Sequence, residues 1–472
     1  MKPPCGILPR VRGRAVPLAA VAALLAFAAV PALAAGRAPK SAARTPRRSV
    51  APKAAEPATG AFSGLVWHVE TEAGAEVDGR LSDEPINPAS VTKAATTLWA
   101  LERLGPDHRF ETRILAAHGA TVRAGELQGD LVVEGTGDPD FRPENAMLVA
   151  LKLNELGIKR IHGALVVNRR FWIGWENGSQ GRDPDPAKRA LTMNARLRQA
   201  LDPGRWNGLM RRSWVELAAA RGLDAQRPPK VVVAGGSRES ARVGGRLLAV
   251  HRSRTLRATL HELNCYSNND IERIGESLGD GPELTSFLRE RWRLPAGTIQ
   301  FQTASGLGEN RISPRLVVGL MRDLEQTCRR MGMELEDVLP AVGCDPGTVA
   351  HFFGMIAAAP ETAAVVGKTG TLTATDGGVS VFAGVIRARE GNFYFCVGEP
   401  RAAGRLRRAR WKEEQFVLDL LAKHGGAVGR ACRAPGAAAG VGAEILGASE
   451  LASLPDGVHE AGEEAPAFAP AP

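Results

Sequence analysis

The pattern of apolar and polar positions predicts alternating strands and helices over most of the chain. The spacing predicts a strand over residues 62–69 and a buried helix, rich in small side chains, over residues 88–101. Pro88 fits the first turn of that helix, and Gly105 with Pro106 ends it. A strand, a helix and a second strand follow over residues 129–135, 144–157 and 163–168. This strand–helix–strand unit predicts a small α/β layer.

Residues 172–230 show no clear period, and the regular pattern returns near residue 250. Further helices are predicted over residues 255–263, 270–278, 313–331 and 412–423, and further strands over residues 378–387 and 392–397. Because only a charged turn separates the last two strands, the pattern favours a hairpin.

Composition and charge change this picture mainly at the ends of the chain. A length of 472 residues with 44% hydrophobic residues allows a sizeable core and more than one domain. The net charge of +9 arises within residues 1–60, which hold ten Lys and Arg and one acid, whereas the remaining 50 basic and 50 acidic residues cancel. This balance argues against a basic nucleic-acid-binding stripe, and no nucleic-acid partner is expected.

Residues 1–34 have the three parts of a secretory signal peptide. A basic start precedes the apolar run 15–30 and the small-x-small sequence Ala32-Leu33-Ala34. An uncleaved membrane anchor is the alternative, which the short run disfavours. We therefore expect an exported, periplasmic protein with no stable transmembrane segment after cleavage. Disordered segments are expected over the basic residues 35–60 and the acidic residues 426–472.

Five cysteines follow the predicted signal peptide, so at most two disulfides can form. None of them belongs to a Cys-x-x-Cys pair, and on that ground no zinc site is expected. Our prediction for a disulfide in an exported protein is Cys328 with Cys344.

Ser90 and Lys93 lie three residues apart on the predicted helix 88–101 and share one face. A buried lysine has a lowered pKa and can then act as the base of a neighbouring serine. The small residues around the pair favour burial. The alternative is a chance pairing, because Ser-x-x-Lys alone is a weak signal.

Ser267 and Asn269 lie in a short connection between two predicted helices. A hydroxyl and an amide two residues apart can project to one side of a tight loop. The alternative is a helix N-cap, which suits Ser and Asn equally well, and the two roles are compatible.

The stretch VVGKTGTL, residues 365–372, precedes the predicted hairpin. On an edge strand, Lys368 would supply positive charge and Thr369 a hydroxyl donor, and Gly370 would let a ligand approach the backbone. A carboxylate or a developing oxyanion suits that surface. The alternative is a lysine solvated at the edge of a strand.

The order Ser-x-x-Lys, Ser-x-Asn and Lys-Thr-Gly in an exported chain is typical of penicillin-recognising serine enzymes. The chain closely resembles the D-alanyl-D-alanine carboxypeptidase/endopeptidase family, the low-molecular-mass class C penicillin-binding proteins. The resemblance covers roughly residues 62–423 and includes the segments 129–139, 305–307, 311–314 and 368–372.

The resemblance implies an α/β (α+β) fold in two parts. A β-lactamase/transpeptidase-like domain, with an antiparallel sheet flanked by helices, is expected over residues 61–105 and 251–425. A smaller α/β domain over residues 106–250 is expected as an insertion between the first two motifs.

The resemblance also implies an acyl-enzyme mechanism on peptidoglycan stem peptides. Ser90 would be the nucleophile and Lys93 its base. Ser267 and Asn269 would relay protons and hold the substrate backbone, and Lys368 would shape the electrostatics. That chemistry needs no metal and no cofactor.

The implied binding residues lie on the Lys-Thr-Gly strand. Thr369 would bind the terminal carboxylate beside Gly370, and the backbone N–H groups of Ser90 and Thr371 would form an oxyanion hole. β-Lactams are expected as covalent inhibitors. The chain departs from the family at Thr303-Ala304, where Asp-Gly is usual, and at Gly308, so we expect a differently shaped loop there.

The expected function is therefore a serine-type D-Ala-D-Ala carboxypeptidase or endopeptidase. A β-lactamase is one alternative; it shares the motifs but needs a device for rapid deacylation, and compact β-lactamases lack the long insertion. A catalytically silent peptidoglycan-binding scaffold is another. The altered loop at Thr303 supports the scaffold, and the presence of every expected catalytic side chain opposes it.

Overall fold

The computed structural model describes residues 64–175, 185–241, 244–358, 363–432 and 439–453. The predicted signal peptide (1–34) and basic linker (35–60) lie outside the described residues. Within the described ranges, no helix combines the length and the apolar character needed to cross a bilayer.

The predicted strands and helices occur in their predicted order, and further elements lie between them, including two helices within residues 172–230, where the pattern shows no clear period. The elements are β1 (Val66–Thr71), β2 (Glu76–Arg80), α1 (Thr92–Leu104), β3 (Glu111–Ala116), β4 (Thr121–Arg123), β5 (Glu126–Gln128), β6 (Leu131–Gly135), α2 (Pro143–Glu155), β7 (Arg160–Ile161), β8 (Leu165–Val167), α3 (Pro186–Leu201), α4 (Gly208–Arg221), β9 (Val232–Val233), β10 (Ser237–Glu239), β11 (Arg246–Arg252), α5 (Leu256–Cys265), α6 (Glu272–Leu278), α7 (Asp280–Trp292), α8 (Pro314–Arg330), α9 (Thr348–Phe352), α10 (Gly354–Ala357), β12 (Val365–Leu372), β13 (Val379–Ala388), β14 (Gly391–Pro400), α11 (Leu406–Lys423), α12 (Ala439–Gly442), β15 (Glu444–Gly447) and α13 (Ala448–Leu451).

A five-stranded antiparallel sheet brings the first two strands against three late strands, in the order β12-β13-β14-β1-β2. β13 and β14 form the predicted hairpin, with Ala388 paired to Gly391 at its turn. β12 is an edge strand of this sheet. Residues 340–342 pair with the outer side of residues 365–367, so residues 368–372 are the part of VVGKTGTL whose edge can receive a ligand.

Helices cover both faces of this sheet. Successive residues of β13 point to opposite faces, and Val381 joins a core with α1 and α8, whereas Phe382 joins a core with α11. Every residue of β13 is buried as a result. This antiparallel sheet flanked by helices is the arrangement expected for residues 61–105 and 251–425.

A second group of strands lies almost wholly between residues 111 and 252. It forms a six-stranded sheet, ordered β10-β8-β6-β3-β11-β15, and a four-stranded sheet, ordered β4-β5-β7-β9. β6 and β8 pair in parallel with α2 as the crossover, so the predicted strand–helix–strand unit is present. The helices α2, α3 and α4 share an apolar core with these strands. We keep the division into a catalytic domain and an inserted domain over 106–250 as a proposal.

The prediction of disorder throughout residues 426–472 is wrong for residues 426–432, which bridge to β13 and carry a disulfide, and for residues 439–453. β15 pairs antiparallel with β11 and so covers what would otherwise be a sheet edge. Arg221 donates to the carbonyl oxygens of Gly440 and Ala443 at 2.8 and 2.5 Å, which fixes the approach to this strand. Backbone pairing and arginine contacts therefore order a segment whose composition alone predicts a tail. Residues 454–472 lie outside the described residues.

The predicted disulfide between Cys328 and Cys344 is also wrong. Cys344 is bonded to Cys432, with a Cα–Cα distance of 5.3 Å across 88 residues of sequence. Cys328 is fully buried in the apolar core on α8, whereas Cys344 is only partly buried and its partner Cys432 is exposed. Cys265 and Cys396 are also free and buried.

Candidate active site

Ser90 lies in a tight 3-10 turn, Ala89–Val91, directly before α1 rather than inside the helix. Ala89 has a φ of 48°, a left-handed conformation that costs about 1–3 kcal/mol for a residue with a side chain. The N–H of Ala89 donates to Oδ1 of Asn87 at 3.0 Å, which helps to hold the turn. The strained turn leaves Ser90 partly exposed above the buried helix.

Lys93 lies one turn further on, in the first turn of α1, and its side chain is completely buried. Its Nζ donates to Oγ of Ser90 at 2.8 Å, to Oδ1 of Asn269 at 2.8 Å and to the carbonyl oxygen of Ser305 at 2.6 Å. Burial lowers the pKa of Lys93 to about 7, against a smaller opposite effect of the Glu272 charge. The amine is thus tied to the serine and to the Ser-x-Asn loop by neutral acceptors.

Lys368 is the second fully buried lysine at this place. Its Nζ donates to Oγ of Ser267 at 2.9 Å and to the carbonyl oxygen of Thr369 at 2.9 Å. Burial, and then the charge of Lys93, hold the pKa of Lys368 well below its ordinary value. Lys368 is therefore not a solvated lysine at the edge of a strand.

In the connection between α5 and α6, one residue caps the next turn and two others contact the buried lysines. Asn268, not Ser267, caps the following 3-10 turn Asn269–Ile271, because its Oδ1 accepts the N–H of Asp270 at 2.8 Å. Ser267 has a φ of 51°, so the backbone reverses there and its hydroxyl reaches Lys368. Asn268 therefore takes the capping role, whereas the side chains of Ser267 and Asn269 contact the two buried lysines.

Two glycines allow three segments to meet at Ser90. A Cβ added to Gly370 would lie 2.4 Å from the carbonyl oxygen of Pro88 and 3.2 Å from the nitrogen of Ser90. A Cβ added to Gly306 would lie 1.9 Å from the carbonyl oxygen of Ala89. Any side chain at either position would push β12 or the Ser-Gly-Leu loop away from the serine turn.

Polar contacts also fix the ligand-facing residues of β12. The hydroxyl of Thr369 donates to Oγ1 of Thr348, at the start of α9, at 2.8 Å. Arg410 of α11 donates to Oγ1 of Thr371 at 3.1 Å, and its guanidinium lies 3.7 Å from the ring centre of Phe352. Both hydroxyls at the edge are thus held by residues from other elements.

The loop at residues 303–308, which departs from the family pattern, is held by the side chains of Thr303 and Glu272. The hydroxyl of Thr303 donates to the carbonyl oxygen of Leu307 at 2.9 Å and accepts the N–H of Gly306 at 3.1 Å. The carboxylate of Glu272 accepts the N–H groups of Ala304 and Ser305 at 3.0 and 2.7 Å. The loop therefore presents the carbonyl of Ser305 to Lys93 without the usual aspartate.

The structure brings every predicted site residue to one place. Two hydrogen-bonded groups meet there: Ser90, Lys93 and Asn269 form the first, and Ser267, Lys368 and Thr369 the second. Gly370 of β12 packs against the serine turn, and Thr371 follows it on the same strand. Sequence reasoning missed three supporting residues, Glu272, Thr348 and Arg410, because none belongs to a motif and each makes its contact with a segment at least 21 residues away in sequence.

Comparison with known proteins decides the family. The model of the D-Ala-D-Ala carboxypeptidase 3 (S13) family matches residues 47–190 and 231–408, which is more than half of the chain. The chain belongs to this family. The resemblance inferred from the ordered motifs is confirmed.

Two curated relatives of this S13 chain differ in how much of it they cover. A carboxypeptidase of Mycobacterium tuberculosis (strain ATCC 25618 / H37Rv) is 28% identical over 398 residues, which is 75% of this chain and 79% of the relative. A D-alanyl-D-alanine carboxypeptidase of Actinomadura sp. (strain R39) is 41% identical over 106 residues, 22% of this chain. That match spans only 19% of the Actinomadura protein.

Solved structures of similar shape share the fold of this S13 chain. A predatory peptidoglycan endopeptidase from Bdellovibrio bacteriovorus has a TM-score of 0.65 at 21% identity, with coverage of 81% of this chain and 98% of that one. The same endopeptidase acylated by penicillin G has a TM-score of 0.63 at 21% identity, with coverage of 78% and 96%. The predicted fold class is confirmed by this likeness.

Proposed function

We propose that this chain is a serine-type D-Ala-D-Ala carboxypeptidase or endopeptidase that acts on peptidoglycan stem peptides through an acyl intermediate on Ser90. The observation that carries the proposal is the 2.8 Å contact between the hydroxyl of Ser90 and the buried amine of Lys93. Because burial brings the pKa of Lys93 to about 7, a large share of this amine is neutral near neutral pH and can accept the serine proton.

In the proposed reaction, Oγ of Ser90 attacks the carbonyl carbon of the penultimate D-Ala residue. The new C–O bond forms as the proton passes to Lys93, and the C–N bond then breaks as the leaving amine takes up a proton. The hydroxyl of Ser267, which is hydrogen-bonded to Lys368, can deliver this proton to the leaving amine. Water then adds to the acyl carbon and releases Ser90.

Binding of the substrate is assigned to the open edge of β12. The hydroxyl of Thr369 and the positive charge of Arg410, held at Thr371, favour the terminal carboxylate, and the amide of Asn269 favours the substrate backbone. The backbone N–H groups of Ser90 and Thr371 would receive the developing oxyanion, and the close approach of Gly370 to Ser90 supports this arrangement.

The names of the similar proteins support both peptide cleavages and β-lactam binding. Two relatives are named carboxypeptidases, and the Bdellovibrio protein is a peptidoglycan endopeptidase that penicillin G acylates. We extend these properties to this chain as proposals, with β-lactams as covalent inhibitors of Ser90.

An extracytoplasmic location is part of the proposal. The predicted signal peptide supports it, and the Cys344–Cys432 disulfide is typical of an oxidising compartment. Sequencing the N-terminus of the protein recovered from the producing cell tests it: a start just after Ala34 supports cleavage, and an intact Met1 contradicts it.

A β-lactamase activity is less well supported. Rapid deacylation needs a group that activates a water molecule, usually a carboxylate that is free to hold it. Glu272 is a carboxylate whose charge acts on Lys93, but both of its oxygens accept backbone N–H groups.

Covalent labelling with a fluorescent penicillin, followed by intact mass measurement, tests the function. We expect one adduct per chain, absent in Ser90→Ala and retained in Ser277→Ala, an exposed serine on α6. If the folded wild-type protein forms no adduct and does not hydrolyse the drug, the catalytically silent scaffold is favoured.

Rapid turnover of a chromogenic cephalosporin would favour the β-lactamase. Digestion of purified peptidoglycan separates carboxypeptidase from endopeptidase products.

A further inference from the structure

A cavity of about 820 Å³ lies beside the end of α5 and is distinct from the serine centre. Its wall includes His261 and Cys265, one helical turn apart on α5, together with Asp345 and the Cys344–Cys432 disulfide. The proposed acylation and hydrolysis at Ser90 do not use the side chains of His261, Cys265 or Asp345. The three side chains are nevertheless brought together from segments 80 residues apart in sequence.

The spacing of the three side chains matches the coordination shell of a small divalent cation. Their candidate ligand atoms all lie within 4.8 Å of one another. Nε2 of His261 is 3.6 Å from Sγ of Cys265 and 3.4 Å from Oδ1 of Asp345. Bonds of about 2.0–2.3 Å in a tetrahedron place ligand atoms roughly 3.3–3.8 Å apart, so Nε2 already lies at tetrahedral distances from both partners.

The surroundings hold this set in place. Oδ2 of Asp345 accepts the N–H of Ala341 at 2.8 Å, which leaves Oδ1 directed at His261. Cys265 is nearly fully buried, whereas His261 and Asp345 are partly exposed to the cavity. The cavity wall carries five carboxylates and three guanidinium groups, a balance that favours a cation.

We propose that His261, Cys265 and Asp345 form a binding site for a zinc-class divalent cation, with water from the cavity as the fourth ligand. One imidazole, one thiolate and one carboxylate form a ligand set suited to Zn²⁺ or Co²⁺ and unsuited to Mg²⁺ or Ca²⁺, which take oxygen ligands. Binding forms a metal–sulfur bond and releases the thiol proton to solvent. The lack of a Cys-x-x-Cys pair argued against a zinc site, but His-x-x-x-Cys on a helix also places two ligands on one face.

The proposed site adjoins the Ser-x-Asn loop but does not depend on catalysis. Cys265 precedes Ser267 by two residues, and its carbonyl oxygen accepts the hydroxyl of Thr348 at 3.4 Å. A Cβ at Gly347 would lie 2.1 Å from that same oxygen, so the segment carrying Asp345 already packs against the end of α5. A bound cation would tie this segment to α5 more firmly.

Titration of the metal-free protein with Co²⁺ and Zn²⁺ tests the site directly. We expect one equivalent of Co²⁺ to produce a thiolate-to-cobalt charge-transfer band with the intense visible bands of a tetrahedral ion, and Zn²⁺ to displace it. Cys265→Ala should abolish the charge-transfer band. His261→Gln, a change at a partly exposed position, should weaken Zn²⁺ binding by roughly 100-fold or more without unfolding the protein.

Two controls make the outcome decisive. Cys328→Ala removes a buried free cysteine outside the set and should leave the spectrum unchanged. Ser90→Ala should bind Co²⁺ like the wild type, so failure of the proposed peptidase function would leave this result intact. The proposal is overturned if the wild-type protein gives no charge-transfer band, or if His261→Gln and Cys328→Ala bind Zn²⁺ equally well.

Discussion

Two buried cationic centres, one at β12 and one at the neighbouring strand β13, differ in their surroundings. At the first, Lys368 of β12 and Lys93 of α1 donate to hydroxyl, amide and carbonyl oxygens. At β13, Arg387 contacts two carboxylates, Glu325 at 3.3 Å and Glu336 at 3.0 Å. The cations of both centres are buried, so the centres differ in whether the groups around the cation are neutral or negatively charged.

The difference appears in the pKa values. Burial lowers the pKa of Lys93 to about 7 and, with the charge of Lys93, holds that of Lys368 well below its ordinary range. Burial alone would also lower the pKa of Arg387, but the carboxylates of Glu336 and Glu325 raise it. A buried cation paired with carboxylates stays charged and ties elements together, whereas one among neutral acceptors can exchange its proton.

Removal of the Lys93 amine should have the largest effect on the reactive centre. We expect Lys93→Ala to slow acylation by penicillin roughly 1,000-fold or more, because no other group replaces the base at Ser90. The rate is measured by intact mass against time. Acylation at the wild-type rate would remove Lys93 from its proposed role.

Lys412→Ala is the matched control for this change. Lys412 is also buried, but its Nζ contacts the carboxylate of Glu399 at 2.7 Å. We expect its loss to lower the free energy of unfolding by about 3–5 kcal/mol and to leave the acylation rate of folded protein unchanged.

Removal of the paired cation should show the opposite signature. Arg387→Met removes the buried cation that joins Glu325 to Glu336. Arg329 still contacts Glu325 and Arg430 still contacts Glu336, but both of these arginines are exposed, and we expect the free energy of unfolding to fall by about 3–5 kcal/mol. Urea denaturation measures this loss. Arg389→Met, at an exposed position on the same hairpin, should change stability by less than about 0.5 kcal/mol. Equal free energies of unfolding for the two variants would contradict a stabilising contribution of Arg387.

The pH dependence of acylation tests whether Lys93, among neutral acceptors, exchanges its proton near neutral pH. Because protonated Lys93 cannot accept a proton, the rate should rise as pH increases through about 7 and fall roughly tenfold per pH unit below it. The acylation rate is measured between about pH 5 and pH 9, with circular dichroism to verify folding. A flat profile across this range would contradict a neutral Lys93 as the base.

The smallest predicted effect concerns the support of the binding edge. Thr348→Val keeps the shape of the side chain but removes the hydroxyl that accepts from Thr369. We expect a loss of about 1 kcal/mol, which corresponds to a roughly fivefold slower acylation. Thr192→Val, an exposed threonine of α3, is the control and should leave the rate unchanged. A loss greater than about 100-fold would assign Thr348 to the chemistry rather than to positioning.

Local pattern predicted much of the fold and the composition of the site. The helix at residues 88–101, the hairpin at 378–397 and the strand VVGKTGTL occur close to their predicted positions because helical and alternating periods are local properties. Ser90 and Lys93 share a face for the same reason, although a 3-10 turn rather than the helix carries Ser90. Composition misled at the C-terminal segment, where pairing with β11 orders β15.

The amino-acid sequence by itself determined which chemical groups are present, their order and the local elements that carry them, and these were sufficient to indicate the family. Only the tertiary structure decided that Lys368 is buried, that Asn269 meets Lys93 across 176 residues, and that Cys344 pairs with Cys432. The physical reason is that burial, pKa shifts and disulfide pairing depend on distances between remote segments, which packing sets and which no local pattern records.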